Sequence, residues 1–298
     1  IFDGLNEIAK PEMQKTVFES IISLSKRHNT FCLVSTRGLT ENLTFNTPVI
    51  SIRPLDNAGM VECINLYSPG YLSEIIQLLD DNPKVRLLAL NPYRVKIICE
   101  LYISDSQLRE TRNDGLLPEN AGKLLEKYIQ TLEERWSRDV SSQLTHIRKR
   151  DGWQIVLGRL ASENTTAILL DEFSLSYGDK ECLRYAEAIG VIQWINHQVI
   201  FVHQQLQEYF TAIWLKTEIE RKGEIRIVVN QLSLTTWDEP IYLLVGIIGE
   251  VYINQLIYQI ALIDPFLAAR CIGISHSNLA PKLLDWFGNY LFEGLKFA

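Results

Sequence analysis

Apolar residues in the first quarter of the chain come in short continuous runs broken by one helical stripe. Ile1-Phe2, Thr30 to Ser35 and Thr47 to Ile52 have the unbroken apolar character of strands in a parallel sheet covered on both faces. Between the first two, Pro11 to Lys26 places Val17, Ile21, Ile22 and Leu24 on one face of a helix, with Pro11 suited to its first turn. Pro54-Leu55-Asp56 opens a further helix through Tyr67. Strand, helix, strand, strand, helix is the order of an open α/β sheet with ligand chemistry at its strand ends.

From Ser68 the pattern turns helical. Tyr71 to Leu79 and Val85 to Leu90 read as short helices, Asn91-Pro92 breaks the run, and Tyr93 to Tyr102 continues it. A polar stretch, Ser104 to Asn120, reads as an exposed loop before an amphipathic helix from Ala121 to Trp136. Helical spacing returns over Ser142 to Ser162 and Asp179 to Ala188, with a short apolar run, Thr166 to Leu170, between them. Val191 to Trp194 and Val199 to Val202 read as a β-hairpin, so that helices closed by a hairpin make a winged-helix shape. After a long helix from Phe201 to Lys216 come Pro240 to Ile248, Val251 to Ile263, Pro265 to Ile274 and Leu279 to Leu295, consecutive apolar helices that suggest a small repeat stack. The expected fold class is therefore α/β followed by mainly α.

Composition leaves this picture unchanged. The chain has 298 residues, 47% hydrophobic and 22% charged, which is ordinary globular material. A formal net charge of −7 argues against a general affinity for nucleic acid. Cys32, Cys63, Cys99, Cys182 and Cys271 are dispersed in mostly apolar surroundings, as expected for buried reduced thiols in a cytoplasmic protein. Neither they nor the five histidines show metal-ligand spacing. The most apolar stretch, Ile241 to Ile263, is interrupted by Glu250, Asn254 and Gln259, so buried helices are expected there and not a membrane span.

Candidate chemistry begins at the first residues. Ile1-Phe2-Asp3-Gly4-Leu5-Asn6-Glu7-Ile8 is an apolar strand end running into carboxylates. At such an end Asp3 can orient Mg²⁺, directly or through water, and Glu7 can polarise an attacking water. A polar turn after a strand in any α/β protein is the plainer alternative. Arg37, at the end of the next apolar run, offers a guanidinium for a γ-phosphate, or is simply a surface arginine. His203 follows a strand and opens a helix, where an anion is favoured; a capping or core histidine would look the same. Ile168-Leu169-Leu170-Asp171-Glu172 imitates a second carboxylate-bearing strand end but lies between helical segments. Tyr209, Phe210 and Trp214 share a helical face near Leu206 and read as core.

These segments resemble, in order, the motifs of NACHT domains, the nucleotide-binding modules of signal-transduction and defence NTPases. Ile1 to Ile8 is similar to their Walker B, Leu33-Val34-Ser35-Thr36-Arg37 to sensor 1, and Leu90-Asn91-Pro92-Tyr93 to the proline motif of their small helical domain. Phe201 to Ala212, with His203 and Glu208, resembles their winged-helix signature. The resemblance implies four parts: 1–67 as the end of a P-loop nucleotide-binding domain, 68–139 as the small helical domain, 140–222 as the winged helix, and 223–298 as HEAT-like repeats. It implies ATP or ADP with Mg²⁺ as cofactors. Asp3, Glu7 and Arg37 would then be catalytic. Asn6 would lie at the nucleotide, in place of the acidic residue common there. Pro92 would pack against adenine or ribose, and His203 would reach the β-phosphate of ADP.

A phosphate-cradling loop needs G-x-x-x-x-G-K-[ST], and the nearest approach, Gly115 to Lys123, has Leu117 and Leu124 at two required positions. In the family that loop precedes Walker B, so this chain is expected to be the later part of a longer protein and inactive as an ATPase by itself. The expected role is an ATP/ADP-controlled oligomerisation switch whose intact parent is an ATPase, with homo-oligomers formed on activation and a sensed ligand of unknown identity. Neither membrane nor nucleic acid is an expected partner. Two other readings stay open: a winged-helix DNA-binding module on an ATPase remnant, and a helical-repeat interaction scaffold.

Overall fold

The structure, a computed structural model, describes residues 2, 5, 11–28, 30–36, 50–108, 117–139, 152–163, 168–169, 176–195, 198–232, 234–275 and 285. The chain divides into two compact units, Ile1–Arg53 with Asn164–Thr166, and Pro54–Glu163 with Ala167–Ala298.

In the first unit, helix α1 spans Pro11–His28, with Glu12 in its first turn and Lys26, Arg27 and His28 in its last, each placed to favour the helix dipole. Phe2 and Val34 form one parallel bridge, held by Phe2 N–H donating to the Leu33 carbonyl at 2.8 Å and Ser35 N–H to the Phe2 carbonyl at 2.9 Å. One more backbone bond joins the two segments, Leu5 N–H donating to the Ser35 carbonyl at 2.9 Å, but among the described residues no ladder forms beyond the single bridge, and Ile50 to Ile52 form no strand.

The α/β expectation is thereby corrected. Among the described residues the protein is mainly helical and contains no α/β sheet domain. A parallel strand is stable when layers cover both its faces, yet Phe31, Ile50 and Ile52 are almost wholly exposed and Leu33 is exposed as well. Apolar runs without covering layers remain extended chain. For the same reason Cys32, expected to be buried, is exposed, whereas Cys99, Cys182 and Cys271 are buried free thiols.

The second unit is built from helices whose ends are chemically marked. Helix α2 (Asn57–Tyr67) starts where the Asp56 carboxylate accepts from Gly59 N–H at 2.8 Å. Helices α3 (Leu72–Asp81) and α4 (Pro83–Leu88) are short, and α5 runs Pro92–Leu108, further into the polar stretch than its composition suggested. Helix α6 (Ala121–Asp139) is capped by Asn120, whose Oδ1 accepts from Lys123 N–H at 2.8 Å. Helix α7 (Trp153–Glu163) covers the later part of the expected Ser142 to Ser162 helix, and α8 (Tyr177–Ala188) begins at Ser176, whose Oγ accepts from Asp179 N–H.

Strands β2 (Ile192–Ile195) and β3 (Gln198–Phe201) form the expected hairpin, in register Ile192 to Phe201 through Ile195 to Gln198. A two-residue strand, β1 (Ile168–Leu169), adds antiparallel to the other edge of β3, giving the order β1-β3-β2. The imitation carboxylate motif is thus an antiparallel edge of this small sheet at Ile168 and Leu169, while Asp171 and Glu172 lie outside the described residues.

Helix α9 (Gln204–Lys222) is the centre of the unit. It packs against α7 and against α11 (Asp238–Ile247), and its residues from Gln205 through Ile213 are all buried. It stops at Gly223, which takes φ +69 and donates to the Ile219 carbonyl at 2.7 Å, a left-handed cap that glycine adopts without strain. A short helix α10 (Arg226–Val229) leads to α11, α12 (Glu250–Ile263) and α13 (Pro265–Ile274). The apolar stretch Ile241 to Ile263 is therefore two helices broken at Ile248-Gly249, and among the described residues no helix is long and apolar enough to cross a membrane. One continuous hydrophobic core runs from Met60 through Trp153, Tyr185 and Phe210 to Cys271.

Candidate functional site

Asp3, Asn6, Glu7 and Arg37 lie outside the described residues. Pro92 and His203 are both described, and the structure brings their neighbourhoods together across 111 positions of sequence.

Each side of this corner is the start of a helix held by its own cap. On α5, the Asn91 Oδ1 accepts from Tyr93 N–H at 3.0 Å and Arg94 N–H at 3.2 Å, with Pro92 at the first helical position, where its missing N–H costs nothing. Pro92 is exposed. On α9, His203 is the N-cap in extended geometry, and its Nδ1 accepts from Gln205 N–H at 3.1 Å. The Tyr93 and His203 rings then stack face to face, centroids 3.5 Å apart and planes 2° from parallel.

That geometry sets what the corner can do. With Nδ1 accepting, the neutral imidazole carries its proton on Nε2, which becomes a donor. The stack leaves no gap for a base between the rings, since an inserted ring needs about 7 Å, twice an ordinary carbon contact. A ligand would meet the imidazole at its edge. Burial, with Tyr128 and Glu100 adding to it, holds the Tyr93 phenol far above its usual pKa, so the partner ring stays neutral.

Arg94, next to Tyr93, extends the corner into the body of the unit. Its Nε donates to Gln205 Oε1 at 3.3 Å, and its Nη2 lies 3.8 Å from Glu239 Oε2 on α11. Glu239 Oε1 accepts from Arg270 Nη2 of α13 at 2.5 Å, and the Arg270 guanidinium sits 4.8 Å above the Tyr242 ring. Tyr93, Arg94, Gln205 and Glu239 were not singled out from the sequence. Tyr93 and Gln205 stand inside the two motifs that were, and an aromatic beside a proline turn is the signal that could have found the first. Nothing in the sequence ties Glu239 to position 94.

No group of three or more His, Cys, Asp or Glu that could hold a metal occurs among the described residues, and Asp3 and Glu7 are not among them. Burial pushes the Cys99 and Cys271 thiols up to about 12, which removes both as nucleophiles near neutral pH. The sequence matches no family model and no curated protein.

Proposed function

We propose that this chain is the switch-bearing part of a NACHT-type signalling or defence NTPase, and that its Pro92–His203 corner is where ADP holds the switch closed. The observation that carries this is the Tyr93–His203 stack, which joins the proline turn and the histidine-capped helix start named by the resemblance. The residues suit the diphosphate end of a nucleotide. His203 Nε2–H can donate to a phosphate oxygen, the start of α9 adds its positive dipole end, and exposed Pro92 offers an apolar face for ribose or base.

ADP would favour the state in which the corner is closed. Exchange for ATP would release it and permit homo-oligomerisation, a shift between two populations that the nucleotide contacts differently. ATP or ADP and Mg²⁺ are the cofactors of this reading, with Asp3, Glu7 and Arg37 as the residues for metal, water and γ-phosphate.

Without a phosphate cradle in the sequence, affinity in this chain should be weak, with a Kd of about 1 mM, or roughly 4 kcal/mol. ADP titrated into the full chain should shift the His203 ring resonances and the Gln205 amide with saturation in that range, and His203→Asn, which keeps a capping side chain but no ring, should abolish the response. Unmoved His203 signals at saturating ADP would overturn the proposal.

A further inference from the structure

Arg94 stands between two partners and is well placed for neither. Its side chain is only 14% exposed, its bond to Gln205 is long at 3.3 Å, and its approach to Glu239 at 3.8 Å is an ion pair without a hydrogen bond. Glu239 Oε2 is correspondingly buried with no hydrogen-bond partner, a costly state for a carboxylate oxygen. A movement of Arg94 Nη2 by about 1 Å toward Glu239 would bring it into the range of a charge-assisted bond, and the Nε bond to Gln205, already 3.3 Å long, has little length to spare.

The two partners report on different parts of the unit. Gln205 is buried, and its backbone N–H is the one that His203 Nδ1 accepts. Glu239 sits in the first turn of α11 and is tied by Arg270 to α13, which is itself fastened to α11 through the Arg270–Tyr242 contact. Whatever shifts α13 against α11 alters the position of Glu239. That changes how Arg94 divides itself.

We infer that Arg94 is a positioning residue through which the C-terminal helices α11 and α13 set the conformation of the His203 corner. The coupling gives a regulatory route to the nucleotide site and takes its significance from the preceding reading, but it is a property of the apo chain and can be measured without nucleotide. Arginine suits the task because its planar guanidinium holds donors on separate nitrogens at fixed spacing, Nε toward Gln205 and Nη2 toward Glu239, whereas the three donors of a lysine ammonium share one nitrogen on a flexible stem.

The test uses the full chain and the NMR signals of the His203 ring and the Gln205 amide. Glu239→Gln, nearly isosteric, should move both, and Arg270→Gln should move them too by freeing Glu239. In an Arg94→Lys background the Glu239→Gln shift should shrink at least several-fold. Gln205→Met cuts the same link from the α9 side if the lysine variant folds poorly, and should likewise uncouple the His203 ring from position 239. Unchanged His203 and Gln205 signals in Glu239→Gln would sink the inference, as would a shift that persists at full size without Arg94 or without the Gln205 acceptor. An ADP titration run beside it separates the two ideas: silence toward ADP with the coupling intact removes the nucleotide reading alone, and a response to ADP without coupling removes this one alone.

Discussion

Asp238, immediately before Glu239, is the residue at which charge and burial oppose each other most clearly. It occupies the first turn of α11, where the helix dipole favours a carboxylate. Burial outweighs that, Asp264 and Glu239 add repulsion, Arg270 partly offsets it, and the pKa rises to about 6. An unfolded aspartate titrates at about 4. The folded state therefore binds the proton more tightly, so Asp238 contributes stability below pH 4 that is lost as pH rises to 6. Melting curves of the wild type and Asp238→Asn should diverge through that interval, with the variant melting higher above pH 6 and the gap constant beyond. Parallel curves from pH 4 to 7 would show that the carboxylate is solvated as in the unfolded chain.

At the scale of elements, the crossing of α7 and α9 depends on a missing side chain. A Cβ at Gly158 would stand 2.7 Å from the Phe210 carbonyl oxygen and 3.0 Å from Trp214 Cβ. Since backbone cannot swing aside, Gly158→Ala should force the helices apart and cost about 1–3 kcal/mol in urea unfolding. Gly178→Ala on α8 is the control. Its nearest neighbour would be 3.9 Å away, and at this second position of the helix the exchange should cost nothing, with a gain of at most about 1 kcal/mol from the less flexible unfolded chain. The same kind of closeness explains what the sequence could and could not reveal. The stripe of α6, the hairpin from Ile192 to Phe201 and the helices from Asp238 to Ile274 were legible because apolar spacing is imposed by the core each element faces. The runs at Phe31–Val34 and Ile50–Ile52 misled because an unbroken apolar run looks alike whether layers cover it or not. Strand β1 is too short for any period to register. Of the site, Pro92 and His203 were visible as motif residues, but the stack of Tyr93 on His203 and the sharing of Arg94 arise only from the way α5, α9 and α11 meet.

On the scale of the whole molecule, the distribution of buried residues predicts two levels of stability in one chain. The second unit has a single connected core in which α9 is surrounded, and it is cross-tied by Glu133 of α6, whose Oε1 accepts from Trp153 Nε1 of α7 at 3.0 Å and from Tyr185 Oη of α8 at 3.4 Å. In the first unit, Leu5 and Ile21 are the buried hydrophobic residues among those described, and neither belongs to that core. Amides protected by a shared core open together at the global unfolding free energy, whereas those of an element with little buried surface open at low cost. Hydrogen exchange on the intact chain should therefore show α6, α9 and α11 exchanging together as the slowest set, and α1 with residues 30–36 exchanging orders of magnitude faster. Glu133→Leu leaves the Trp153 donor without its acceptor and should lower the slow set by about 1–3 kcal/mol while leaving α1 unchanged. Equal protection of α1 and α9 would overturn the two levels of stability, and the division at Arg53 would lose its energetic meaning.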